Sequence, residues 1–311
     1  MNEKLSIVKV LGTGAALSPN LTNTSFSLLD GQILVDCGYN IFSHLYQNEK
    51  EILNNLKYIF ITHCHADHMG SLESLIYYNE FIRKKPLTVY MSKDTFVAKF
   101  IKIILNGKTD YTLNISVPFD YTSFRILTGI NTYPLKNYEF LHCKINDDII
   151  KIIANKIPSR QNSDNDYVDF VSRIYSDELA LDNSKIFYKL SVNYITRQNH
   201  FGSYLNTSYI FKIDFHDFSI VIGISGDMKA DIVFEKAIRG IIETCLNVKR
   251  YIVFHDCKDT RLLTNVHATK FDMEQIYSEE FRNHIINVHN NKDPEIRELI
   301  YNIEEQCLEE L

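Results

Sequence analysis

The segment Tyr58–His68, reading YIFITHCHADH, constrains this chain more than any other. Its first half is a short apolar run rich in β-branched and aromatic residues, the signature of a buried strand. That strand runs straight into His63, His65, Asp67 and His68, four potential metal ligands within six residues. Imidazole and carboxylate together suit zinc or a similar divalent ion. A loop leaving a buried strand turns alternate side chains toward one cavity, so Cys64, lying between the two histidines, is read as a non-ligand.

Strands and helices alternate around this segment. SIVKVLG, TSFSLLD, GQILVDCG, LTVYM, TSYIFKI, FSIVIGIS and RYIVFHD are short apolar runs bounded by turn residues and read as strands. Met69–Phe81, Asp94–Leu105 and Ala230–Cys245 carry helical spacing. The Gly12-Thr13-Gly14 step after the first strand lacks the further glycine spacing of a dinucleotide fold, and a strand rather than a helix follows it. No internal repeat is visible, which excludes solenoids and propellers. Residues 144–195 stand apart: they contain no Gly, one Pro, 7 basic and 8 acidic residues, and are expected to form an inserted, largely helical or irregular arm acting as lid or dimer contact. The tail after Asp293 is expected to be an acidic packing helix.

Composition narrows the function. With 311 residues, 45% of them hydrophobic and 23% charged, the chain can bury a substantial core, and a single domain over 1–311 is expected. The 33 basic and 39 acidic residues sum to −6, with no long basic run, which argues against capture of long nucleic acid across a broad surface. A small anionic ligand at one focused site stays open. Six dispersed cysteines without a CxxC pair suit a reducing compartment. No run of about 18 apolar residues occurs, and the opening MNEKLSIVKVLGTG has no secretory pattern, so the expectation is a cytoplasmic protein with no membrane partner.

The runs LGTGAALSPNLTNTSFSLLDGQILVDCG and FITHCHADHMGSLESL resemble the amino-terminal half of the metallo-β-lactamase fold superfamily. Within it they are closest to the phosphodiesterase branch, which includes transfer-RNA 3′-processing endonucleases and cyclic nucleotide phosphodiesterases, among them those by which phages degrade immune second messengers. The resemblance implies an α/β, αββα four-layer sandwich: two β-sheets face to face, helices on both outer faces, and metals at one edge. The HxHxDH form is similar to that of the hydrolytic zinc members.

By the same resemblance, three more donors follow downstream. Asp227, in IVIGISGDMK, would bridge two cations; its alternative is an N-cap for the next helix. His200, in NHFGSYLNTSYIFKID, is taken as the third histidine on its surroundings, with His142 as competitor. His289, ending IINVH, would be the last ligand. One ion would take His63, His65 and His200, the other Asp67, His68 and His289. His267, in VHAT, would donate a proton to the leaving oxygen, oriented by Asp256; its alternative is an ordinary helix-start histidine. Asp67 would also orient the nucleophile. Asp36 is expected to support a ligand imidazole or the motif backbone, and His255 could lie behind a ligand. His44, His216 and His284 carry no assigned role.

The expected function is hydrolysis of a cyclic nucleotide by a phosphodiesterase holding two divalent ions, zinc with manganese as alternative, in a homodimer. A transfer-RNA 3′ endonuclease is the second reading, weakened because residues 144–195 lack glycine and carry a net charge of −1 (7 basic, 8 acidic). A noncatalytic nucleotide-binding protein and a lactone-type hydrolase are the rival classes; the latter has no use for a VHAT acid.

Overall fold

The computed structural model describes residues 4–16, 18, 20–85, 87–92, 113–116, 140–145, 150–155, 177–178, 188–197, 206–258, 267–290, 292–303 and 305–311. In chain order the first strands are β1 (Lys4–Gly12), β2 (Ser25–Leu28), β3 (Ile33–Val35), β4 (Tyr58–Phe60), β5 (Leu87–Ser92), β6 (Leu113–Ser116), β7 (Phe140–Ile145) and β8 (Ile150–Asn155). Then come β9 (Asp177–Glu178), β10 (Lys189–Arg197), β11 (Asn206–Asp214), β12 (Ser219–Ile224), β13 (Val248–Lys258), β14 (Ala268–Thr269), β15 (Ile285–Val288), β16 (Glu298–Asn302) and β17 (Cys307–Glu310). Among the described residues the α-helices are α1 (Ile41–Asn48), α2 (Lys50–Asn55), α3 (Ala66–Met69), α4 (Leu72–Tyr78), which continues as a π-helix over Asn79–Arg83, α5 (Ile232–Glu243), α6 (Lys270–Ile276) and α7 (Glu279–Arg282).

Two mixed sheets result. One runs β17-β16-β1-β2-β3-β4-β5-β8-β7-β6; the other runs β14-β13-β12-β11-β10-β9, with β15 also paired to β13. Successive side chains on a strand face opposite ways, so a strand covered on both faces sorts its apolar residues between two cores. On β3, Ile33 and Val35 enter the core between the sheets while Leu34 packs with α1, α2 and α4. On β11 and β12, Tyr209, Phe211, Ile220 and Ile222 enter that same central core, whereas Ile210 and Val221 turn outward to Phe234 and Ile238 of α5. The result is three apolar layers between four structural ones, the αββα sandwich that the resemblance implied. Cross-sheet aromatic pairs tie the halves together: Phe26 with Phe254 at 4.8 Å and Phe60 with Phe211 at 5.3 Å between centroids. No helix among the described residues is long and apolar enough to cross a membrane.

Two expectations differ from what is observed. The tail is not an acidic helix but β16 and β17, with β16 paired antiparallel to β1 from Lys4↔Asn302. In ELIYN, Leu299 and Tyr301 enter the central core, a period of two hidden among acidic neighbours. The arm expected over 144–195 contains strands of both sheets: Lys144 and Ile145 end β7, β8 lies between β5 and β7, and β10 pairs with β11 along its whole length. The helix expected at Asp94–Leu105 lies outside the described residues.

Gly226, in the turn after β12, has φ of +63°, and an added Cβ would sit 2.3 Å from Asn206 Oδ1 and 2.8 Å from Thr62 Cβ. Gly226→Ala therefore combines left-handed strain with a collision. It is expected to cost roughly 1–3 kcal/mol, read as a lowered thermal midpoint; an unchanged midpoint would contradict this account of the turn.

Candidate metal centre

The chemistry-bearing residues sit at the carboxyl ends of parallel strands. β3 and β4 run parallel, as do β12, β13 and β15. Asp36 follows β3, the His63–His68 loop follows β4, Asp227 follows β12, and His289 follows β15. Asp256 lies near the end of β13, and His267 immediately precedes β14. Two hydrogen bonds pin the sheets together at this edge: Thr207 N–H donates to the Thr62 carbonyl at 2.8 Å, and Tyr209 Oη donates to the Ile61 carbonyl at 2.8 Å.

Asp227 is the meeting point. With donor atoms all within 4.8 Å of one another, it groups with His63 and His65, with Asp67, His68 and His289, and with Asp256 and His267. Its Oδ1 lies 3.1 Å from His68 Nε2, and its Oδ2 lies 3.5 Å from His289 Nε2 and 3.8 Å from His63 Nε2. Asp67 Oδ2 approaches His68 Nε2 at 3.6 Å and His289 Nε2 at 3.8 Å. Cys64 packs instead against the helix-side core, and the metal-capable groups among the described residues do not include it.

The donor set fits divalent cations. His63, His68 and His289 each engage Nδ1 outward, with Thr62 Oγ1 at 3.0 Å, Asp36 Oδ2 at 2.8 Å and Thr24 Oγ1 at 3.2 Å respectively. Their Nε2 atoms consequently turn inward, the arrangement in which an outer partner fixes ring orientation and raises ligand basicity. Burial drives the His289 pKa down to about 4, so it is a neutral imidazole near pH 7. Burial also opposes a charge on His68, but the carboxylates of Asp227 and Asp36 outweigh it and hold its pKa well above the ordinary value. Two buried carboxylates thus demand positive charge at a point lined by imidazoles.

Asp36 organises the motif. Its carboxylate accepts from Thr62 N–H at 2.8 Å, from Thr62 Oγ1 at 2.8 Å and from His68 Nδ1 at 2.8 Å. Both Asp36 and His289 have φ of 60°, a left-handed conformation that side chains other than glycine adopt at a cost. Strain of this kind persists where the surroundings over-determine it.

Beyond Asp227, His267 Nδ1 lies 2.6 Å from Asp256 Oδ2 and 3.9 Å from Asp227 Oδ2. Burial lowers the His267 pKa, but the Asp256 carboxylate more than compensates, leaving it above the ordinary imidazole value. The next helix is capped elsewhere: α5 by Asp231, which accepts from Val233 N–H, and α6 by Thr269 in a capping box with Asp272. Neither Asp227 nor His267 is therefore spent on a helix start. His255 faces away from the centre, with Nδ1 donating to the Asp256 carbonyl at 2.8 Å and Nε2 accepting from Tyr277 Oη at 2.8 Å, and burial lowers its pKa to about 4. His200 lies outside the described residues. His142 is on β7, separated from β4 by β5 and β8 in the sheet order.

Thr24 and Thr62 were not legible as site residues. Thr24 meets His289 across 265 positions of sequence, and threonine in a strand reads first as a β-former.

A family model described as Anti-Pycsar protein Apyc1 matches residues 6–149. The Apyc1 of Bacillus phage BSP38 is 32% identical over 133 residues, spanning 39% of this chain and 50% of the phage protein. The Ribonuclease Z of Methanococcus maripaludis strain C5 is 34% identical over 142 residues, spanning 42% of this chain and 43% of that enzyme. The chain thus spans about half the length of the curated relatives it matches. Among solved structures, the metallo-β-lactamase fold protein YhfI from Bacillus subtilis aligns over 93% of this chain and 87% of its own, with a TM-score of 0.50 at 13% identity, a likeness of fold.

Asp36→Asn keeps the shape of the supporting group but removes the charge that holds His68 Nδ1. Metal affinity, measured by competition with a chromogenic chelator, is expected to fall by about 10- to 100-fold. Affinity equal to wild type would remove Asp36 from its organising role.

Proposed function

We propose that this protein is a metal-dependent phosphodiesterase that hydrolyses cyclic nucleotides. The observation that carries the reading is the position of Asp227 between two imidazole-rich donor groups and the His267–Asp256 pair. His63, His65 and Asp227 would hold one divalent cation, and Asp67, His68, Asp227 and His289 the other, with His200 as a further ligand of the first. Such ions supply charge neutralisation for phosphoryl oxygens and lower the pKa of water. The protein's own groups do the rest. Asp67 orients the attacking water, and His267 delivers a proton to the departing alkoxide oxygen while Asp256 holds its imidazole by Nδ1. That leaves Nε2 as the atom from which the proton leaves.

A cyclic nucleotide is favoured over transfer RNA by the match to the Apyc1 family model and by the chain's formal net charge of −6 without a long basic run. The similarity to Ribonuclease Z supports the second reading, a transfer-RNA 3′ endonuclease. Incubating the Zn²⁺- or Mn²⁺-loaded protein with cAMP, cGMP, cUMP and cCMP beside a precursor transfer RNA separates the two. Consumption of a cyclic nucleotide with intact RNA is expected, and RNA cleavage with inert cyclic nucleotides ends the first reading.

His267→Ala should slow turnover by about 10²-fold or more while metal content measured by mass spectrometry stays at the wild-type level. Because Asp256 holds the His267 pKa above the ordinary value of about 6.5, the acid form persists upward in pH. Loss of the His267 acid form is therefore expected as an alkaline limb lying above that value in the kcat profile. A limb at or below it would contradict the assignment of His267 as the acid.

A further inference from the structure

We infer that Lys258 is a positioning residue for the last metal ligand, acting through the backbone of His289. The inference rests on the reading of Asp67, His68, Asp227 and His289 as metal donors. β13 and β15 pair in parallel register only as far as Asp256↔Val288. One residue later His289 enters the left-handed region at φ of 60°, beyond the last residue pair of the ladder. His289 is 2% exposed, and a buried carbonyl without a donor is costly. Lys258 Nζ supplies that donor at 3.0 Å.

The lysine is itself fixed for this task. β13 continues past Asp256 by pairing with β14, Cys257↔Ala268 and Lys258↔Thr269, which fixes the Lys258 backbone beside the segment that follows His267. His289 is thereby held at two points, its imidazole by Thr24 Oγ1 at 3.2 Å and its carbonyl by Lys258. Together they define where Nε2 points. The lysine's half-buried charge also acts on Asp256, His267 and His289.

Charge and positioning make opposite predictions. An ammonium near a cation site repels cations, so if Lys258 acted by charge alone, its removal would tighten metal binding. If it holds His289 in place, removal loosens binding. The test compares wild type, Lys258→Met and Lys258→Arg by chelator-competed Zn²⁺ titration, with thermal unfolding of the metal-free proteins alongside. Lys258→Met is expected to weaken one of two sites by about 10- to 100-fold, and Lys258→Arg, which keeps a cationic donor, to remain near wild type. Binding by Lys258→Met as tight as wild type or tighter overturns the inference. Should Lys258→Met also lower the metal-free midpoint, recovery of affinity in Lys258→Arg supports the role and failure to recover overturns it. Wild type that binds no Zn²⁺ would instead overturn the metal reading itself.

Discussion

The buried carboxylate of Asp227 is the constraint around which this molecule is organised. An aspartate only 2% exposed, close to a second buried carboxylate, is unfavourable unless positive charge is brought to it. Imidazoles arriving from the loops after β4 and β15 surround it, and each of the three fully buried ones is turned by an outer hydrogen bond so that Nε2 faces inward. The site is thus a concentration of negative charge and lone pairs for which divalent cations are the matching partner.

Holding that arrangement requires both sheets. The cross-sheet contacts of Phe26 with Phe254, tilted, and of Phe60 with Phe211, edge to face, help set the sheets' separation, and the bonds from Thr207 to Thr62 and from Tyr209 to Ile61 set their relative position at the edge. Parallel strands then do what they do in other α/β architectures, collecting functional side chains at their carboxyl ends. Two of the left-handed non-glycine residues, Asp36 and His289, lie at this edge, and Gly226 supplies a left-handed turn there without the Cβ penalty. Local conformational cost has been accepted where side-chain direction matters most.

Much of the centre was legible because its densest part is contiguous. His63, His65, Asp67 and His68 declare themselves by residue type and by following an apolar strand, whereas Asp227, Asp256, His267 and His289, scattered downstream, were suggested only through the family resemblance. The fold class was legible for a related reason: strands buried on both faces read as unbroken apolar runs. The tail's strands were not legible because the segment after Asp293 is rich in glutamate, whereas β16 itself carries one acidic residue, Glu298, and alternates Leu299 and Tyr301 into the core. The arm expected over 144–195 rests on composition, which is blind to pairing: β8 lies beside the distant β5, and β10 pairs with its neighbour β11.

The sequence by itself determined the donor types in the His63–His68 loop and the alternation of strands and helices, because residue type and spacing are local properties; the layered sandwich came in only as what the family resemblance implied. Tertiary structure alone decided which groups share Asp227, that His255 turns toward Tyr277 rather than the centre, and that Thr24 and Lys258 hold His289 from two sides. Those outcomes depend on distances between segments far apart in the chain, and only the packing of one sheet against the other fixes them.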